Sequence, residues 1–128
     1  MKCTKADSDE TMNRESLIMS EMADSDGFAK IKEKSINEDF LIMTLLGSNL
    51  ETIVEEKQLN IIDVKRIGYQ CILRLKELHE KGYVHRDLKP ENVLLGNQNN
   101  PHKIYLVDFG LASTFKRNAK QARKIYHG

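Results

Sequence analysis

His85-Arg86-Asp87-Leu88-Lys89-Pro90-Glu91-Asn92, followed farther along by Asp108-Phe109-Gly110, decides how this chain is read. Together the two stretches set two carboxylates, an amide and a lysine in the order and spacing that phosphoryl transfer uses. An aspartate in the first can accept the proton of an attacking hydroxyl. The asparagine and the second aspartate supply hard oxygens of the kind that hold magnesium. Such chemistry is mostly positioning and electrostatics, so a few fixed side chains carry it. The bland alternative, a charged surface loop and an unrelated turn, would need many defined positions in two motifs to coincide by chance.

Outward from the motif, 93–95 and 103–107 read as two short strands joined through the polar turn Gly96-Asn97-Gln98-Asn99-Asn100-Pro101. Upstream, Asn60 is placed to cap a long helix. Ile61, Val64, Ile67, Cys71, Leu75 and Leu78 recur along it at offsets of three and four, and Gly82 stops it just after His79 and Lys81. That stripe is most simply core. A shorter helix to about Glu56, capped by Ser48 or Asn49, follows a linker at 46–49. Before the linker, 28–36 and 40–45 predict two strands around Asn37-Glu38-Asp39, the hairpin of a smaller lobe. Asp7, with Glu10 three residues on, marks the start of a first helix, and Ala23-Asp24-Ser25-Asp26-Gly27 breaks it. Met12, Glu15, Met19 and Met22 share one stripe of that helix, so Glu15 sits on an apolar face and needs a partner. The implied plan is α+β, with two lobes joined by a short hinge.

Composition narrows the field less than the motifs do. The 20 Lys and Arg against 19 Asp and Glu give a net charge of +1, which offers no argument for a nucleic acid or membrane partner. Cys3 and Cys71 are far apart and no ligand cluster surrounds them, so a buried free thiol at Cys71 is favoured over a disulfide or metal ligand. The N-terminus shows no basic-then-apolar signal pattern, and no apolar run approaches a membrane span. Cytoplasm or nucleus is the expected location. Nothing in the sequence fixes an oligomeric state.

These motifs resemble those of eukaryotic protein kinases, and within that superfamily the chain is most similar to the casein kinase I group of serine/threonine kinases. His85-Arg86-Asp87 and Asp108-Phe109-Gly110 carry the superfamily likeness. Leu45-Leu46-Gly47-Ser48-Asn49-Leu50-Glu51, Ile104-Tyr105-Leu106-Val107 leading into Asp108, and the longer connection from Asp87 to Asp108 carry the group likeness. Asp87-Leu88-Lys89-Pro90-Glu91-Asn92-Val93 is the general kinase wording more than the group's own. The resemblance implies a partial two-lobed kinase fold: a small-lobe remnant and hinge over about 1–46, and the start of the large lobe, into the activation segment, over 47–128. It also implies transfer of the ATP γ-phosphate to protein hydroxyls, with Mg2+ as the metal. Small-molecule phosphotransferases of similar fold generally lack these two motif forms, which favours a protein substrate.

Carried over residue by residue, the resemblance makes Asp87 the catalytic aspartate and Lys89 the side chain that steadies the γ-phosphate. Asn92 and Asp108 become the magnesium ligands. Glu15 matches the helix glutamate that pairs with the ATP-positioning lysine, and Lys2, 13 residues earlier, stands near the separation expected for that lysine. A second reading of Lys2 is an unordered terminal lysine, since its strand would be truncated. Met43 would lie behind the adenine, Thr44 and Leu46 would offer backbone groups to its edge, and Leu94 and Val107 would form the apolar floor beneath it. His85 and Arg86 are supporting residues.

The departures carry expectations too. No glycine-rich phosphate loop occurs in the 128 residues, and a two-lobed kinase needs roughly twice this length, so a fragment or truncated gene model is expected. The alternative is a noncatalytic kinase-like binding module. Lys116, Arg117, Lys120, Arg123 and Lys124 would attract acidic or phosphorylated substrates, or simply form a solvated loop. Ser113 stands where the casein kinase I group usually has a basic residue, and Ser113, Thr114 and Tyr126 lie on a loop where phosphorylation is common.

Overall fold

A computed structural model describes residues 2–5, 9–35 and 40–115. Phe40-Leu41-Ile42-Met43 forms the central strand β3 (Phe40–Met43), with Leu41 and Met43 on its buried face and Phe40 exposed. On one edge lies β2 (Ile31–Lys34) and on the other β1 (Lys2–Lys5), both antiparallel to it. The expected two-stranded hairpin is therefore a three-stranded sheet. The segment Lys-Cys-Thr-Lys is too short and polar to announce a strand, yet it pairs along β3 with Lys2 opposite Met43. Both observed β2 and β3 are shorter than expected, and the turn at 36–39 lies outside the described residues.

Helix α1 (Asp9–Glu21) leads from β1 toward β2; it buries Ile18 and Met19, and Met22 is buried just past its end. The proposed cap Asp7 lies outside the described residues. Gly27, with φ +79°, turns the chain after the helix; a Cβ there would come within 1.6 Å of Arg74 Nε. That nitrogen donates to the Ile104 carbonyl at 3.0 Å, so only glycine admits the buried arginine.

Helix α2 (Leu50–Glu56) starts at Asn49, whose side chain accepts the Thr52 N–H at 2.8 Å. Of the two expected caps, Asn49 serves. Helix α3 (Ile61–Glu80) starts in a full capping box: Asn60 accepts from Asp63 N–H at 2.9 Å and Asp63 accepts from Asn60 N–H at 3.2 Å. Gly82, at φ +92°, ends it. The stripe of α3 is core over only part of its length. Leu78 is fully buried and Ile67, Cys71 and Leu75 pack against the core, but Ile61 and Val64 are 66% and 51% exposed. A helix of 20 residues is about 30 Å long, and the short strands against which α3 packs span only part of that distance.

The remaining strands are β4 (Tyr83–Val84), β5 (Val93–Leu95), β6 (Ile104–Leu106) and β7 (Ser113–Thr114), and α3 packs against β4 and β6. β5 and β6 form the expected hairpin, with Leu94 opposite Tyr105. β4 pairs with β7, a contact that two-residue strands leave unsignalled in sequence. The Leu106 N–H donates to the Gly27 carbonyl at 3.0 Å, and Phe28 bridges Leu106 in parallel. One apolar cluster thus runs from Ile18 of α1 and Met22 just past its end through Phe28 and Leu41 to Leu78, Ile104 and Leu106. The fold is α+β. Cys71 is a free, half-buried thiol whose pKa is pushed up by burial; the Cys3 side chain lies outside the described residues. Among the described residues no helix is long and apolar enough to cross a membrane.

Candidate active site

The loop after β4 is shaped by its own polar groups. His85, buried to 1% exposure, donates from Nε2 to the Val107 carbonyl at 2.8 Å and accepts the Asp87 N–H at Nδ1, 3.1 Å away. A carbonyl can only accept and an amide N–H can only donate, so these contacts fix the proton on Nε2. Arg86 takes φ +70° between them, exposing its side chain and letting the chain reverse. A 3-10 turn over Pro90–Asn92 then delivers Asn92 to the start of β5.

Asn92 is buried and gives its amide hydrogens to the Asp87 carbonyl at 2.9 Å and to Asp87 Oδ2 at 3.2 Å. Its own carbonyl accepts the Val107 N–H at 3.1 Å. Lys89 Nζ stands 3.7 Å from Asp87 Oδ2, beyond hydrogen-bonding reach. Both side chains are partly exposed, so this ion pair contributes little to stability. Its significance is the position of a cation beside the carboxylate.

Val107 is therefore held twice, by His85 and by Asn92, and Asp108 follows it directly at φ +64°. Asp108 is exposed, and its Oδ1 accepts the Gly110 N–H at 3.2 Å. Phe109 turns inward, with ring centroids 6.2 Å from Phe28 and 5.5 Å from His85. One aromatic column thus anchors both motif loops to the segment that follows α1. Arg14, the neighbour of half-buried Glu15 on α1, donates to the Ala112 carbonyl at 3.2 Å. At the other end of α1, Glu21 hydrogen-bonds Tyr83 of β4. Burial first, and that bond and charge second, push the Tyr83 phenol up to about 12.

The segment between β3 and α2 runs along β5. Gly47 N–H donates to the Leu95 carbonyl at 2.8 Å and Leu95 N–H to the Ser48 carbonyl at 3.0 Å. Met43 is buried at the entry to this segment; Thr44 and Leu46 lie on it, Leu94 is half-buried on the adjoining strand, and Val107 is buried. Lys2 stands in β1 with its backbone paired opposite Met43; its side chain lies outside the described residues. Asp87, Lys89 and Asn92 are in direct contact, and Asp108 joins them through Val107. A cavity of about 1030 Å3 opens between α2, α3 and the β5–β6 turn, lined by residues such as Leu46, Ile53, Ile67 and Gln70; it takes in neither Asp87 nor Asp108.

The donor set suits magnesium. With its NH2 given to Asp87, Asn92 has Oδ1 left to offer, and Asp108 has Oδ2. Among the described residues no group of three or more His, Cys, Asp or Glu could cage a metal. Few protein oxygens, completed by water and phosphate, is the arrangement this ion accepts. The resemblance assigned His85 only a supporting place, and nothing in the sequence pointed to Phe28, Arg14 or Lys30 as part of this neighbourhood.

The chain belongs to the protein kinase domain family, which matches residues 1–127. It is similar to a protein of Caenorhabditis elegans named as a casein kinase I, 43% identical over 82 residues that cover 61% of this chain and 24% of the relative. It is also similar to a fowlpox virus protein named as a serine/threonine-protein kinase, 37% identical over 95 residues covering 73% of this chain and 31% of that one. The match thus spans about a quarter to three-tenths of the length of these curated relatives.

Proposed function

We propose that these residues form the catalytic centre of a magnesium-dependent serine/threonine kinase that transfers the ATP γ-phosphate to protein hydroxyls. The observation that carries the reading is the bonding of Asn92: its amide holds Asp87 while its carbonyl holds the strand end that presents Asp108. Asp87 would orient the substrate hydroxyl and take its proton through the carboxylate oxygen that Asn92 does not occupy. Lys89 would steady the transferred phosphoryl group, and Asn92 Oδ1 with Asp108 would hold the metal. When bound, magnesium supplies charge neutralisation on the phosphates. Thr44 and Leu46 would meet the adenine edge over Leu94 and Val107, and Lys2 with Glu15 would position the phosphates. Family membership and the named relatives support this reading.

The test separates the two aspartates in the longest natural protein containing these residues. Asp87→Asn should retain ATP affinity and lower turnover by roughly a hundredfold to ten-thousandfold, the range for removing a general base. Asp108→Asn should lose magnesium-dependent nucleotide affinity, because an amide lacks the charge that draws the ion. Equal loss of ATP affinity in both would contradict the assignment. The 128 residues alone should transfer phosphate poorly: no glycine-rich loop is among them, and water at the phosphates weakens charge stabilisation.

A further inference from the structure

Lys30 lies just ahead of β2, outside every motif, and its two ends are tied to different parts of the proposed site. Its ammonium donates to the carbonyls that follow α1: to Met22 at 3.4 Å, to Ser25 at 2.8 Å and to Ala23. These carbonyls lie just past the last turn of α1, where the Met22 carbonyl also accepts the Ser25 N–H at 3.0 Å, and the negative end of the helix dipole favours a cation there. The backbone of Lys30 is gripped as fully by Thr44. Thr44 N–H donates to the Lys30 carbonyl at 2.9 Å, Thr44 Oγ1 accepts the Lys30 N–H at 3.1 Å, and the same hydroxyl donates to the Lys30 carbonyl at 3.2 Å.

We propose that Lys30 is a positioning residue that locks the C-terminal end of α1 to Thr44, so that the helix carrying Glu15 and the segment facing the adenine move as one body. The proposal rests on the nucleotide-site reading above for the roles of Glu15 and Thr44, while the mechanical joint stands on its own bonds. Burial lowers the Lys30 pKa, and the charges of Asp26 and Asp24 act against that shift, as fits an ammonium drawn into carbonyls. Arginine could still bond several carbonyls at this place. Methionine would keep the apolar stem and lose all three donors.

Amide hydrogen exchange on the longest natural protein containing these residues tests the joint without relying on catalysis. Lys30→Met should speed exchange about tenfold at the last turn of α1 and at the Thr44 amide, with β5 and β6 unchanged, as expected for loss of a charged hydrogen-bonding group. Thr44→Val should speed exchange at the same end of α1, though the hydrogen bonds of Thr44 go to the Lys30 backbone. The double variant should add little to the larger single effect, and Lys30→Arg should restore most of the protection. Acceleration confined to α1 in Lys30→Met, an unaffected α1 in Thr44→Val, or an α1 already unprotected in the parent chain would each overturn the proposal. Adding Mg·ATP separates the two readings: coupling that persists without any nucleotide protection of Thr44 or Leu46 keeps the joint and removes the nucleotide assignment.

Discussion

The loop at 85–92 and the helix α3 that precedes it hold their shapes by opposite means. The loop has almost no regular structure, yet His85, Asp87 and Asn92 bond one another's backbone and reach Val107. Its specification is local and polar, with one apolar column of Phe28, Phe109 and His85 beneath it. Helix α3 is the reverse. Its cap and stop are as regular as any in the molecule, but Ile61, Ile62, Val64, Tyr69 and Ile72 face outward. The hydrogen-bonded motif finds partners within a few residues and reaches Val107 farther along the chain, whereas an apolar stripe needs a second surface to become core.

The largest effect should come from the aromatic column. Phe28 is fully buried and stacks on Phe109, so Phe28→Ala should cost about 3–5 kcal/mol of unfolding free energy, measured by urea titration. A cost under about 1 kcal/mol would mean that the polar bonds alone hold the loop, breaking the contrast. Next come the two sides of α3. Leu78→Ala removes a fully buried side chain and should cost about 2–5 kcal/mol, while Ile72→Ser, at a site 66% exposed, should stay within about 0.5 kcal/mol. A large loss at Ile72 would show a partner surface on that face.

Much of the site was legible because its residues are adjacent in sequence. Asp87, Lys89 and Asn92 are spelled out over six positions, and the turn that unites them is built by the same residues. The caps at Asn49 and Asn60 and the stop at Gly82 were legible for the same reason, since their bonds span three residues or fewer. What sequence did not disclose is long-range. Arg14 meets Ala112 across 98 positions, and Gly27 is glycine because Arg74 occupies the space where its Cβ would be. Strands β1 and β7 are set by the edges they pair with, and a run of two or four residues has too little periodicity to declare itself.

The capping box of α3 offers an intermediate effect that sharpens the contrast. Its exposed Asn60–Asp63 exchange is local, like the loop's bonds, but serves a helix whose neighbouring apolar residues are uncovered. Asn60→Ala should cost about 1 kcal/mol, read by urea titration. Helix fraying should appear as faster amide exchange at Ile61–Val64, with Leu75–Leu78 unchanged. Equal acceleration along the whole helix would show that α3 unfolds as one unit despite its uneven burial.

The smallest expected effect lies where α3 gives way to β4. Tyr83 has its phenol raised from 10.0 to about 12 by burial and by Glu21, so the folded state holds its proton more tightly than the unfolded chain does. That contribution is fully present below pH 10 and is lost as pH rises through about 12. Cys71, also raised, adds a decline of the same sign, but it is common to the parent chain and a Tyr83→Phe variant, so only their difference reports Tyr83. Tyr83→Phe should be the less stable protein at pH 8, having lost the bond to Glu21, and the gap should close as pH rises from 10 to 12. Stability curves at several alkaline pH values measure this directly. A gap that stays constant over that range would mean that the Tyr83–Glu21 bond does not tie α1 to β4 in solution.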